Sequence, residues 1–131
     1  MPFVYPWTAL VTVAAIAVYI FTMMRVARAR GQFQIAAPAT GGHPDFERVF
    51  RVQANTLEQM AMFLPVLWLF ALIWSDGSAA VIGVIWPIGR LVYALGYYRA
   101  AEHRNRGFAI TALSSIALLV GVVIGIFVRG F

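Results

Sequence analysis

Apolar runs alternate with short polar stretches four times along the chain. The first run, Trp7 to Met24, carries no charged residue. At 1.5 Å per residue it is long enough to cross a hydrocarbon core of about 30 Å. It predicts a helix over about residues 6–28, with Tyr5 and Trp7 at the outer membrane interface. A loop rich in Pro and Gly follows, from Gly31 to Pro44. The second helix is expected over about 45–74, with Asp45 as N-cap and a kink at Pro65 that frees the carbonyl of Ala61. Ser75-Asp76-Gly77-Ser78 reads as a tight turn. The third helix is expected over about 79–101, with a second kink at Pro87 and one deep charge, Arg90. Glu102 to Arg106 form a polar connection to a fourth helix over about 107–128. Its Ala112, Ser115, Gly121 and Gly125 would let neighbouring helices come close. Gly83, Gly89 and Gly96 read as packing positions on the third helix. The pattern predicts an all-α protein, an integral membrane bundle of four transmembrane helices forming one domain over residues 1–131.

Composition agrees with that pattern. The chain is 62% hydrophobic and 11% charged, where a soluble domain carries about 25% charged residues. The net charge is +5, and all ten basic residues are Arg. They sit at helix ends, which fits membrane topology rather than a nucleic-acid surface. The loops after the first and third helices hold Arg28, Arg30, Arg48, Arg99, Arg104 and Arg106, while the turn between the second and third holds only Asp76. The positive-inside rule then places both termini on the non-cytoplasmic side. The first charged side chain is Arg25, so the basic start of a signal peptide is missing. There is no Cys, which excludes a disulfide framework, a Cys-ligated metal and a Cys nucleophile. Any thiol chemistry must use a thiol carried by a ligand. His43 and His103 have no second ligand at metal spacing, so no metal is expected.

One stretch departs from the apolar pattern. Arg48, Arg51, Asn55 and Glu58 are spaced three, four and three apart and share one helix face. Polar groups carried into a membrane mark a functional site by default. Arg90, Tyr93, Tyr97 and Arg104 form a second stripe, spaced three, four and seven. Counted inward from the outer turn, Ser75 for the second helix and Ala79 for the third, Glu58 and Tyr97 both fall about 26–27 Å down, and Arg51 and Arg104 about 36–38 Å. Guanidiniums bind carboxylates, a carboxylate binds an ammonium, and a cation beside a thiol favours the thiolate. The ligand such a site suits is a small zwitterion with more than one carboxylate. On spacing alone, interfacial anchoring is the lesser alternative for Tyr93 and Tyr97. Arg90 lies near mid-membrane, level with about Leu64, with no acidic residue of the second helix at that depth. It is expected to be structural, donating to carbonyls of residues 60–64 exposed by Pro65. A site role towards Glu58, or towards the centre of an oligomer, is the alternative.

These residues resemble the MAPEG family, the membrane-associated proteins in eicosanoid and glutathione metabolism. Residues 46–55, Phe-Glu-Arg-Val-Phe-Arg-Val-Gln-Ala-Asn, with Glu58, match its second-helix signature. Arg90-Leu91-Val92-Tyr93 with Gly96-Tyr97 matches its third-helix signature. The resemblance is to the microsomal glutathione transferase and leukotriene-C synthase branch. It implies a homotrimer, with glutathione bound between protomers near the cytoplasmic face. It also implies that Arg51, Asn55 and Glu58 bind the charged ends of glutathione, with Gln53 and Arg30 assisting. Tyr93 and Tyr97 would line the pocket, and Arg104 would stabilise the thiolate. Two positions depart from the leukotriene-conjugating members: Gln59 stands in place of a Tyr and Gly31 in place of a second candidate catalytic Arg.

The resulting expectation is an enzyme that transfers glutathione to lipophilic electrophiles drawn from the bilayer, with lipid hydroperoxide reduction as a related activity. Glutathione is the co-substrate; membrane lipids and further copies of the chain are the other partners. The alternative is a non-catalytic scaffold of the same fold that presents lipid. A transporter is disfavoured, since no inverted repeat is visible.

Overall fold

A computed structural model describes residues 1–130. α1 spans Pro6–Phe33, with Pro6 in the first turn, where its missing N–H costs nothing. It runs five residues past the expected end at 28. Gln34 closes it in the left-handed conformation, φ 54°, with its N–H on the Arg30 carbonyl. The Arg30 side chain folds over this end, donating to the carbonyls of Ala39 at 2.8 Å and Ile35 at 3.4 Å. α2 spans Pro44–Ile73 and runs unbroken through Pro65. Its cap is His43, whose ring nitrogen accepts from the N–H of Asp45; Asp45 itself lies inside the first turn rather than at the cap.

The expected third helix is two helices, α3 (Asp76–Gly83) and α4 (Ile85–Arg99). The break at Val84 follows from Pro87, which cannot donate to the carbonyl of Gly83 and crowds it. There is also less of a turn before it than expected. Ser75 caps α3 through its hydroxyl oxygen, which accepts from the N–H of Ser78 at 3.2 Å, so Asp76, Gly77 and Ser78 are already helical. A 3-10 turn, Ala101–Arg104, leads into α5 (Asn105–Arg129).

Pro6–Phe33, Pro44–Ile73, Asp76–Arg99 and Ala101–Arg129 are each long and apolar enough to cross a membrane. Consecutive spans run in opposite directions. One end of the bundle therefore holds both termini and the α2–α3 link, and the other holds the α1–α2 loop and the 3-10 turn. α2 packs against α1, α3, α4 and α5. Its core half joins Phe63, Leu67 and Phe70 to Val11, Trp86, Leu118 and Val122, with the rings of Phe63 and Trp86 stacked at 4.7 Å. Large apolar side chains also cover the outside, among them Leu10, Val13, Ile20, Leu91, Leu95, Ile116 and Val123. In water such a belt would be a liability; against lipid chains it is the solvated surface.

Small residues set how closely α4 and α5 cross. A side chain on Gly107 would collide with the backbone of Tyr93, and one on Gly89 would stand 2.8 Å from the Thr111 hydroxyl. That close crossing brings a polar residue of α5 beside Arg90.

Candidate active site

At the end bearing the α1–α2 loop, Arg51, Asn55, Tyr93, Tyr97, Arg104, Asn105 and Phe108 line a cavity of about 440 Å³. α2 supplies the first two, one turn apart, and α4 supplies the two tyrosines, also one turn apart. The tyrosine rings are buried, with centroids 5.6 Å apart. Both line the cavity. Arg104 follows from the 3-10 turn, and its Nη1 donates to the Tyr97 hydroxyl at 3.3 Å. Its guanidinium lies 5.4 Å from the Tyr97 ring centroid.

Glu58 is tied to this cavity without lining it. Arg51 grips it with both terminal nitrogens, at 3.1 and 3.4 Å. The Asn55 amide nitrogen donates to it at 3.3 Å. The Arg51 and Glu58 side chains are about half exposed, at 52% and 54%. Such a pair contributes roughly 0–1 kcal/mol, so a ligand carboxylate and ammonium can replace the two partners at little cost.

Arg90 is fully buried behind the same wall. Its Nη1 donates to the Asn55 side-chain oxygen at 2.9 Å and its Nε to the Thr111 hydroxyl at 3.3 Å. The Tyr93 ring lies 4.0 Å from its Cζ. The expected bonds to the carbonyls of residues 60–64 are replaced by these, and Glu58 is not its partner either. The third span begins at Asp76, three residues before Ala79, which sets Arg90 about 4.5 Å deeper, level with about Ala61; its guanidinium nevertheless turns to the Asn55 side chain and to Thr111 rather than to backbone. Arg90 thus orients the Asn55 amide, oxygen towards itself and nitrogen towards Glu58. Thr111 accepts from Arg90 while giving its own proton to the Gly107 carbonyl at 2.7 Å.

Two further candidates lie apart. Gln53 points away from the cavity and donates to the Tyr19 hydroxyl on α1 at 3.3 Å. Arg30 closes the end of α1, with its guanidinium 5.1 Å from the Phe46 ring centroid. Pro65 belongs to the apolar half of α2. Thr111, Asn105 and Phe108 escaped sequence reasoning. Thr111 left one signal, a hydroxyl that shares the cavity-side half of α5 with Ser114 and Ser115.

The family model for MAPEG matches residues 8–126 of the chain. The protein belongs to the MAPEG family. Its four spans therefore make it a multi-pass integral membrane protein. Among relatives of this MAPEG chain, an uncharacterized protein of Synechocystis is 51% identical over 120 residues, 92% of this chain and 88% of that one. Leukotriene C4 synthase of Rattus norvegicus is 34% identical over 120 residues, 86% of this chain and 80% of the enzyme. Microsomal glutathione S-transferase 2 of Homo sapiens is 36% identical over 96 residues, 73% of this chain and 65% of the enzyme. For a MAPEG protein the chemistry in the cavity is consistent within itself. It holds two exchangeable guanidiniums, a carboxylate at the rim, two phenols and no thiol of its own.

Proposed function

We propose that the chain is a membrane glutathione transferase acting on lipophilic electrophiles. One observation carries this reading: Arg51, paired to Glu58, and Arg104, paired to Tyr97, border a single cavity. One pair suits the charged ends of a zwitterionic peptide and the other suits its thiol. Glutathione carboxylate takes the place of Glu58 on Arg51, and Glu58 turns to the ammonium. Arg104 lies beside the sulfur and stabilises the thiolate over the thiol, the proton passing to water. The thiolate sulfur attacks the electrophilic carbon. A C–S bond forms as the carbon–halogen bond breaks, and the halide leaves with its electron pair. With a conjugated carbonyl, the addition ends instead by protonation of the enolate. The phenols of Tyr93 and Tyr97 hold the pocket wall and the orientation of Arg104. Phe108 offers the apolar surface against which a lipophilic partner can rest.

Arg30 and Gln53 lie outside the cavity of their own chain. The reading therefore assigns them to the site of a neighbouring protomer in a homotrimer, facing the exposed Arg51–Glu58 stripe. It places the cavity at the cytoplasmic side, both termini opposite, because the Arg-rich loops share that end.

The test is direct. Purified protein in detergent is titrated with glutathione by calorimetry and then assayed with an aromatic halide. Binding with turnover supports the reading. Absence of binding in folded protein overturns it and favours the lipid-presenting scaffold.

A further inference from the structure

A second polar pocket of about 260 Å³ lies between α1, α2 and α4, at the same end of the bundle as the candidate active site. Arg25, Arg28, Gln32, Asp45, Arg48 and Tyr98 line it. Asp45 is taken by Arg48 in an ion pair, so two positive charges remain uncompensated. The Arg25 guanidinium lies 4.5 Å from the Tyr98 ring centroid, which holds it over the pocket. Two donors on residues that line the pocket, the Nε of Arg48 and the hydroxyl of Tyr98, are buried without a hydrogen-bond partner among the described residues. Buried donors are costly when unpaired, so these two call for an acceptor from outside the chain.

We propose that this pocket binds the phosphate of an anionic phospholipid headgroup. Depth supports a lipid source. Eighteen residues of α1 separate Trp7 from Arg25, about 27 Å, which sets Arg25 at the edge of a hydrocarbon core of about 30 Å. That edge is where lipid phosphates lie. Met24, one turn from Arg28, and Leu95, one turn from Tyr98, are both exposed and provide apolar surface for the acyl chains on the membrane side. Basic pockets between transmembrane helices bind anionic headgroups in this way. The site shares no lining residue with the cavity of Arg51 and Arg104.

The test uses purified full-length protein in neutral detergent, titrated with dioctanoyl phosphatidylglycerol, dioctanoyl phosphatidylcholine or inorganic phosphate, with Kd and thermal midpoint as readouts. Phosphatidylglycerol is expected to bind and raise the midpoint, and the other two are not. The double variant Arg25→Gln/Arg28→Gln should weaken that binding roughly 30-fold, from the usual contribution of two surface arginines. Arg99→Gln/Arg106→Gln removes the same charge from the same end outside the pocket and should leave binding unchanged. Equal loss in both double variants would mean diffuse attraction and overturn the proposal. So would an equal response to phosphatidylcholine, and a full response to inorganic phosphate would replace the lipid by a free anion. Should the first double variant not fold, photoactivatable phosphatidylglycerol on the wild type decides. Labelling within residues 25–32 and 45–49 supports the site, and labelling only elsewhere overturns it.

Discussion

The candidate active site and the end of the bundle with the termini use polar side chains in opposite ways. At the end with the termini, they bond to backbone. The Asp76 carboxylate accepts from the N–H groups of Trp7 at 3.0 Å and Thr8 at 2.7 Å, completing the first turn of α1 from a different helix. Arg129 donates to the Ile73 carbonyl at 2.6 Å, completing the last turn of α2. Around the candidate site, polar side chains bond to one another: Arg51 with Glu58, Asn55 with Glu58, Arg90 with Asn55, Arg104 with Tyr97. A side chain that satisfies a helix end cannot leave without exposing it. A side chain paired only with another at a cavity rim can exchange its partner for a ligand. The first arrangement stabilises; the second can bind.

Four substitutions test that contrast. The largest effect is expected from Arg104→Leu. Removing the cation beside the thiol should lower kcat about 10²- to 10³-fold, with glutathione affinity little changed. In the wild type the bound thiol should titrate below free glutathione, and in the variant above the wild type, so the rate should recover as pH rises. Thiolate absorbance against pH reads this, and an unshifted thiol in the wild type would break the mechanism.

Next comes Arg51→Ala. A charge-assisted contact of about 1.5–3 kcal/mol corresponds to a rise in Kd of roughly 10- to 150-fold, measured by calorimetry. Unchanged affinity would remove the α2 stripe from the site.

Arg90→Leu should weaken glutathione about tenfold, because the Asn55 amide loses its orienting donor. Its thermal midpoint should hold or rise, since a buried guanidinium whose Nη2 has no partner among the described residues is replaced by an apolar side chain. A fall in the midpoint with unchanged affinity would return Arg90 to a purely structural role.

The smallest effect is expected at the opposite end. Asp76→Ala should lower the thermal midpoint by roughly 3 °C through loss of the α1 cap, and leave glutathione binding alone. A change in affinity there would mean that the two ends are coupled.

Much of this was legible along the chain. Apolar runs of membrane length set the four spans, because a bilayer admits few other arrangements. Two polar stripes at helical spacing held Arg51, Asn55, Tyr93, Tyr97 and Arg104, which line the cavity, because spacing on a helix determines a shared face; Arg48 of the same stripe lines the other pocket instead. Asp45 and Ser75 were read by local propensity, while the cap lies at His43 and the third span is already helical at Asp76; the kink expected at Pro87 is there as a full break at Val84. Three residues moved Arg90 only about 4.5 Å deeper; its partners, Asn55 and Thr111, were set by how α2 and α5 pack around it.

What the sequence by itself determined is therefore a membrane bundle with its charge at one end and a candidate site on two helix faces. These properties follow from hydropathy and periodicity, which are local. What only the tertiary structure decided is which polar group meets which. The α4–α5 crossing over Gly89 and Gly107 brings Thr111 to Arg90, and the fold turns Gln53 to Tyr19 and Arg30 back onto its own loop. Side-chain partners across helices depend on crossing distance and axial register to within a few ångströms, and neither quantity is written in any single segment of the chain.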